Sequence, residues 1–205
     1  MNAISRHSIV AGAACLETDG YDVAVARSLD DLMQVMAVRT LVYMGEQNCP
    51  FDEEYDGNDF AGATHLLLRF AGDPVGVVRM RWFADFAKLE RLAVLKDHRG
   101  RATLTLIRHA VRIARRKGYR RILGHAQPRL VAFWARYFNG RPRPGRDRFS
   151  FSDHPYTEVV AEFDPSTDAL TLDSDPLLLL RPEGDWDRPG VLERSAGRTR
   201  AVPAD

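Results

Sequence analysis

The chain has 205 residues, 45% of them hydrophobic, and a formal net charge of +1; that is enough for one well-cored domain and short for two. Nothing in it approaches the ~20 apolar residues of a membrane-crossing helix, and Cys15 and Cys49 provide neither a disulfide framework nor a metal-ligand spacing. A membrane span, a disulfide scaffold and a metal centre therefore fall outside the expectation, and a reducing cytoplasm is the expected compartment.

Residues 1–20 read as an N-terminal extension. The apolar stretch 9–14 before Cys15 is short for a secretion signal and has only Arg6 ahead of it. Residues 21–26 alternate like a strand, and Ser28 with Asp31 resembles a capping box opening a helix from Leu29 to about Tyr43. Its core stripe is expected at Leu32, Val35, Met36, Val42 and Tyr43. A loop over 46–59, rich in carboxylates and turn formers, follows. Residues 64–70 and 75–83 form a hairpin about the turn 71–74, and 88–95 is the next strand. The helix after it buries Leu106, Ile107, Ala110, Val111 and Ala114, carries Arg108, Arg112 and Arg115 on another face, and ends at Gly118. Residues 121–126 form a strand, 130–138 a short aromatic helix, and 156–163 a final strand beyond an Arg/Pro/Gly loop at 140–148. From 165 onward the composition changes to Pro, Asp and Gly, with one apolar cluster at 177–180.

Charge is unevenly spread. Residues 1–150 hold 24 basic and 16 acidic residues, 151–205 hold 5 and 12, and 99–148 holds 15 Lys and Arg against the single acid Asp147. A solvated helix face accounts for part of this, but the missing acids make a field that attracts anions.

The strongest chemical signal lies at 89–103. The strand Leu89-Glu90-Arg91-Leu92-Ala93-Val94-Leu95 runs into Lys96-Asp97-His98-Arg99-Gly100-Arg101-Ala102-Thr103, a basic turn that opens a helix. A helix start presents unpaired N–H groups and partial positive charge; with Arg99 and Arg101 beside them, the turn suits a pyrophosphate.

This arrangement resembles the acyl-CoA site of the GNAT (N-acetyltransferase) superfamily, whose pattern is Arg or Gln, two residues, Gly, one residue, then Gly or Ala. In register, Ala102 takes the first small position and Leu104 departs from the second. The element order over about 22–163 is similar to a GNAT domain, which implies an α/β fold with a mixed, mostly antiparallel central sheet flanked by helices. The domain is expected over 21–164, with an irregular tail over 165–205. Val38-Arg39-Thr40-Leu41-Val42-Tyr43, Glu46-Gln47-Asn48-Cys49-Pro50, Asp56-Gly57-Asn58-Asp59 and His65 resemble the bacterial ElaA-like branch, as do Gly124-His125-Ala126-Gln127 and Phe133-Trp134. Arg39, Glu54-Tyr55-Asp56, Asp59 and Val77-Val78-Arg79-Met80 also resemble autoinducer synthases and long-chain N-acyl amino acid synthases.

The resemblance implies a thioester in the splay between strands 89–95 and 121–126. Pantetheine would pair with backbone at Leu92, Ala93 and Val94, and the pyrophosphate would meet the amides of Arg99, Gly100, Arg101, Ala102, Thr103 and Leu104. A neutral primary amine then attacks the carbonyl directly, which calls for a base. Glu90 is the first candidate, with an ordinary ion pair as its alternative; strand alternation sends Glu90 and Arg91 to opposite faces, which argues against Arg91 as its partner. In the family a Tyr of the last helix protonates the departing thiolate. Trp134 stands at the matching place, and indole is no proton source, so Tyr137 is the substitute, beside a purely packing role. Arg39, Glu54, Asp56, Asp59, His65 and His125 are acceptor-side candidates, equally readable as loop-shaping or satisfied strand residues.

The implied activity is acyl transfer, acetyl favoured, from acetyl-CoA or another acyl-CoA to a small-molecule or lipid amine, without a metal. One alternative is a long-chain N-acyl synthase taking its acyl group from an acidic acyl carrier protein, which the basic surface would suit. Another is a nonenzymatic anion- or nucleic-acid-binding module, although no motif for specific nucleic-acid reading accompanies the arginines. The apolar cluster at 177–180 and Trp186 fit docking on the core, a homodimer partner or a membrane surface.

Overall fold

The computed structural model describes residues 20–195. The expected N-terminal extension up to residue 19, Cys15 with the apolar stretch before it, and the tail from 196 onward lie outside the described residues. The helices α1 (Leu29–Arg39), α2 (Phe51–Glu54), α3 (Arg101–Arg116), α4 (Val131–Phe138), α5 (Pro176–Leu179) and α6 (Val191–Ser195) surround the strands β1 (Tyr21–Val25), β2 (Thr64–Phe70), β3 (Asp73–Trp82), β4 (Ala87–Val94), β5 (Arg121–Ala126), β6 (Arg141–Pro142), β7 (Phe149–Phe151) and β8 (His154–Glu162). The sheet order is β1-β2-β3-β4-β5-β8-β6, with β7 paired to β8. Every pairing is antiparallel except β4 with β5, which the α3 crossover joins. This is the mixed α/β sheet expected from the sequence.

The central strands are covered on both faces, so β2 carries a continuous buried run from Leu66 to Leu68 rather than strict alternation. On one face α3 seats Leu106, Ile107, Ala110, Ile113 and Ala114 against Leu66, Leu68, Val78, Met80 and Leu89. On the other, α1 seats Val35 and Val38, followed by Val42 and Tyr43, against Leu67, Val77 and Ala93. The Ser28–Asp31 capping box is present. The expected helix through Tyr43 is α-helical only to Arg39 and continues as a π-helical turn, Thr40–Glu46. The Thr40 hydroxyl donates back to the Met36 carbonyl at 2.8 Å, the kind of side-chain competition that loosens a helical ladder.

Among the described residues beyond 165, Leu170, Leu178 and Trp186 pack on the α3 side. Trp186 is buried in the main core, Glu183 accepts hydrogen bonds from Thr64 Oγ1 at 2.6 Å and Lys117 Nζ at 2.7 Å, and Asp185 pairs with Arg27 at 2.7 Å. Close approach requires Gly184, with φ +86°, because a Cβ there would lie 2.6 Å from Val25 Cγ2. Among the described residues, no helix is long and apolar enough to cross a membrane.

Candidate active site

β4 and β5 pair in parallel at Ala87–Ile122, Lys88–Leu123 and Leu89–Gly124, and their pairing stops there. Both strands continue, to Val94 and Ala126, so an open groove begins at Glu90 and His125. β4 is irregular at the same point. Its register against β3 shifts between Arg79–Glu90 and Val77–Ala93, and Arg91 has φ +51°. Such a bulge bends a strand away from its neighbour.

The groove leads to the start of α3. Gly100 has φ +97°, a conformation favouring glycine, and no side chain caps the helix. The Ala102 and Thr103 amides of the first turn thus have no acceptor within the helix, which suits an anion. Arg99 donates from Nε to the Val94 carbonyl at 3.0 Å and pairs with Glu46, which ties the turn to β4 and the π-helical turn. The carbonyl of Leu92 accepts from Tyr43 Oη at 3.0 Å. Burial, the leading cause, pushes the Tyr43 phenol well above its ordinary value and keeps it a donor. Leu104 is half-buried against the main core.

Behind the bulge lies a buried network of charges. Arg39 and Arg79 are fully buried. Arg39 pairs with Glu54 at 2.5 Å and with Asp59. Arg79 reaches Asp56 at 2.6 Å, Asp59 at 2.8 Å and Glu90 at 2.8 Å. Arg91 closes the ring on Glu54 at 3.2 Å and Asp56 at 3.1 Å. Burial alone would raise both Asp56 and Asp59, but the guanidiniums outweigh it and hold them below the ordinary carboxylate range. For Glu54 burial wins and its pKa is raised. His65 meets the Asp59 carbonyl at 3.1 Å, and burial lowers its pKa.

Five of the six acceptor-side candidates, Arg39, Glu54, Asp56, Asp59 and His65, thus converge on one cluster that also holds Glu90. Glu90 Oε1 accepts from Arg79 and its Oε2 meets Lys88 Nζ at 2.8 Å. The expected separation of Glu90 and Arg91 to opposite faces does not hold: the bulge breaks alternation, and both side chains enter the same network.

The sixth candidate, His125, faces the groove. Its Nε2 lies 3.7 Å from Glu158 of β8, its register partner, and the Phe149 ring packs edge-on at 4.7 Å. Burial, then Lys88, lowers its pKa and favours neutral imidazole. The β7–β8 hairpin arches over this point: Arg91 stacks on Phe151 at 4.8 Å, and the Ser152 amide donates to Glu53 at 2.7 Å. Tyr137 lies on α4, 42% exposed, its ring packed on Phe133. Trp134 borders a small apolar void of about 10 Å³ between α3, α4 and the sheet. Sequence reasoning missed Lys88, which same-face alternation with Glu90 would have found, and Glu158, which only the β5–β8 register reveals.

A family model described as the Acetyltransferase (GNAT) family matches residues 32–139. N-acetyltransferase YjcF of Bacillus subtilis is 31% identical over 114 residues, covering 55% of this chain and 81% of YjcF. Among solved structures, Escherichia coli ElaA aligns with TM-score 0.60 at 20% identity, covering 69% of this chain and 98% of ElaA. FeeM, an N-acyl amino acid synthase from uncultured soil microbes, aligns with TM-score 0.60 at 8% identity, covering 85% of this chain and 97% of FeeM.

Proposed function

The chain belongs to the Acetyltransferase (GNAT) family, and from that premise we propose that it moves an acyl group, acetyl first, from an acyl-CoA thioester to a primary amine by direct attack. The observation that carries this reading is the groove that opens where β4 and β5 part at Leu89–Gly124 and leads to the uncapped start of α3. The donor supplies an activated carbonyl and a thiolate leaving group. Backbone at Leu92, Ala93 and Val94 holds its arm, and the first-turn amides up to Thr103, beside the Arg101 charge, hold its pyrophosphate; the expected Leu104 and Arg99 amides are instead spent on the Gly100 carbonyl at 3.1 Å and the Lys96 carbonyl at 3.4 Å. Nitrogen forms a bond to the carbonyl carbon, the carbon–sulfur bond breaks, and the ammonium proton leaves.

Glu90 and His125 stand at the mouth of the groove, and His125 is kept neutral by burial and Lys88. Both oxygens of Glu90 are engaged by cations, so in this reading it accepts the amine proton through water, with His125 as the imidazole acceptor across the groove. Tyr137, the exposed phenol of α4, protonates the thiolate. The ion network behind Glu90 fixes the bulge and the acidic loop rather than touching the amine. The small size of the void beside Trp134 leaves little room for a long chain and favours a short acyl group; long-chain transfer, with an acyl carrier protein as donor, is the second reading, supported by Leu104 in place of a small residue.

The test is a donor panel of acetyl-CoA, a long-chain acyl-CoA and an acyl-acyl carrier protein, read by thermal stabilisation and by intact-mass detection of transfer. A ligand of the native state raises the midpoint. Acetyl-CoA is expected to stabilise most; selective response to the long donors reverses the order of the two readings, and response to none overturns both.

A further inference from the structure

A cavity of about 550 Å³ opens on the same sheet face as Glu90 and His125, on the far side of Leu123. Its size falls within the ~300–1,000 Å³ of small-molecule sites. Leu123 and Val160 form its floor, Phe86 and Pro142 its apolar walls, and Arg121, Arg141 and Arg143 bring three guanidiniums to it. Two of these are neutralised, Arg121 by Asp85 at 2.8 Å and Arg143 by Glu158 at 3.0 Å. Arg141 has no carboxylate partner among the described residues; its guanidinium donates to Asn139 Oδ1 at 3.5 Å. Glu162 also borders the cavity, opposite Arg121 in register, so the three guanidiniums face three carboxylates and the feature that favours an anion is Arg141, which has no carboxylate pair among the described residues, rather than net charge.

The sheet register gives the cavity its relation to the groove. Lys88, Leu123, Val160 and Arg141 form one row across the strands, and His125 and Glu158 form the next. One row is ~6.7 Å along the strand and two strand spacings are ~9.6 Å, which puts Arg141 about 12 Å from His125 between backbone positions. A guanidinium on a flexible stem spans part of that distance and offers a fork that matches a carboxylate or a phosphate.

We propose that this cavity recognises the acceptor of the acyl transfer, and that the acceptor is a linear amine with a terminal carboxylate or phosphate several bonds from its nitrogen. This rests on the acyltransferase reading: the nitrogen lies at Glu90 and His125 while the anionic end pairs with Arg141. An α-amino acid, whose nitrogen and carboxylate are separated by two bonds, is too short to occupy both positions.

The experiment compares 6-aminohexanoate, 6-aminohexyl phosphate, hexylamine, 1,6-diaminohexane and glycine as acceptors, together with equilibrium binding of each to the CoA-saturated protein by calorimetry. One or both anionic probes should exceed hexylamine by at least about tenfold in kcat/KM, mainly through KM, as one charge-assisted hydrogen-bonded pair allows. Whichever of the two is preferred identifies the group. Arg141→Gln should reduce that preference to below about threefold and weaken binding of the anionic probe equally, with the folded state intact by thermal midpoint. Equal use of hexylamine, preference for the diamine, glycine matching 6-aminohexanoate, or an unchanged preference in Arg141→Gln each overturns the proposal while leaving acyl transfer standing. Calorimetric binding of an anionic probe that is lost in Arg141→Gln, with no acyl transfer from any donor, keeps the anion site and sinks the acyltransferase reading instead.

Discussion

One side of the sheet meets arginines in two settings. Between α1, the acidic loop and the sheet, Arg39 at the end of α1 and Arg79 on β3 are fully buried and each meets two or more carboxylates. Beyond β5, where no helix covers the face, Arg121, Arg141 and Arg143 line an open cavity and one of them has no carboxylate partner among the described residues. The difference is burial. A guanidinium taken out of water must have its charge matched at once, so it becomes a strut; one left at a wet edge keeps its charge available to a ligand.

The sharpest break of that comparison is Arg79→Leu. It strands Asp56, Asp59 and Glu90 without their shared cation, and by analogy with other broken buried pairs it should cost about 3–5 kcal/mol or prevent folding. Denaturant unfolding measures it, and Arg79→Lys, which keeps the charge but loses the fork, should fall between the two. Trp186→Ala comes next, at about 3 kcal/mol, because the indole is 5% exposed in the main core. A loss below about 0.5 kcal/mol, as at a surface site, would show that the tail only rests on the domain.

A smaller effect comes with pH. Burial lowers the pKa values of His65 and His125, and takes His109 from 6.5 to about 4. A histidine with a lowered folded-state pKa binds its proton more readily when unfolded, so its stabilising contribution is present above the unfolded value and is lost as pH falls through the folded one. Denaturation midpoints should therefore decline from pH 6.5 towards 4, and His109→Gln should flatten that decline. Asp56 and Asp59, also lowered, add a further loss as pH falls below the unfolded carboxylate value; Glu54, raised, opposes it. The smallest effect belongs to Arg141→Ala, expected within about 0.5 kcal/mol of the parent, since an exposed side chain without a buried partner contributes little to folding.

Much of the fold was legible because its signals are local and periodic: the capping box at Ser28, the apolar stripe of α3, and the turn at Ala71 and Gly72, both with positive φ. The strand-to-turn passage at 89–103 was legible for the same reason. The charged network was only half legible. Its acids and Arg39 stood out as neighbours in the chain, but Arg79 sits within an apolar strand, and nothing local says that it bridges Asp56, Asp59 and Glu90. The bulge at Arg91 was hidden too, since alternation is the default for a strand and a positive φ at arginine leaves no trace in the sequence. Glu158 and Arg141 belong to the site face only through the pairing of β5, β8 and β6, a long-range register that no short window contains.

The donor turn gives a prediction that sharpens the comparison from the other side. Arg99→Ala should weaken donor binding at low and high salt alike, by disturbing the turn through its bond to Val94, whereas the contribution of the Arg101 charge should shrink in high salt, so that Arg101→Ala weakens binding more at low salt. Isothermal titration with CoA at two salt concentrations separates them.

Hydrogen exchange with and without acetyl-CoA tests the central claim most directly. Exchange should slow in peptides covering 90–104, the parting edge of β4 and the first turn of α3, with little change across 143–152. Binding of acetyl-CoA with protection elsewhere, and none at 90–104, would contradict it.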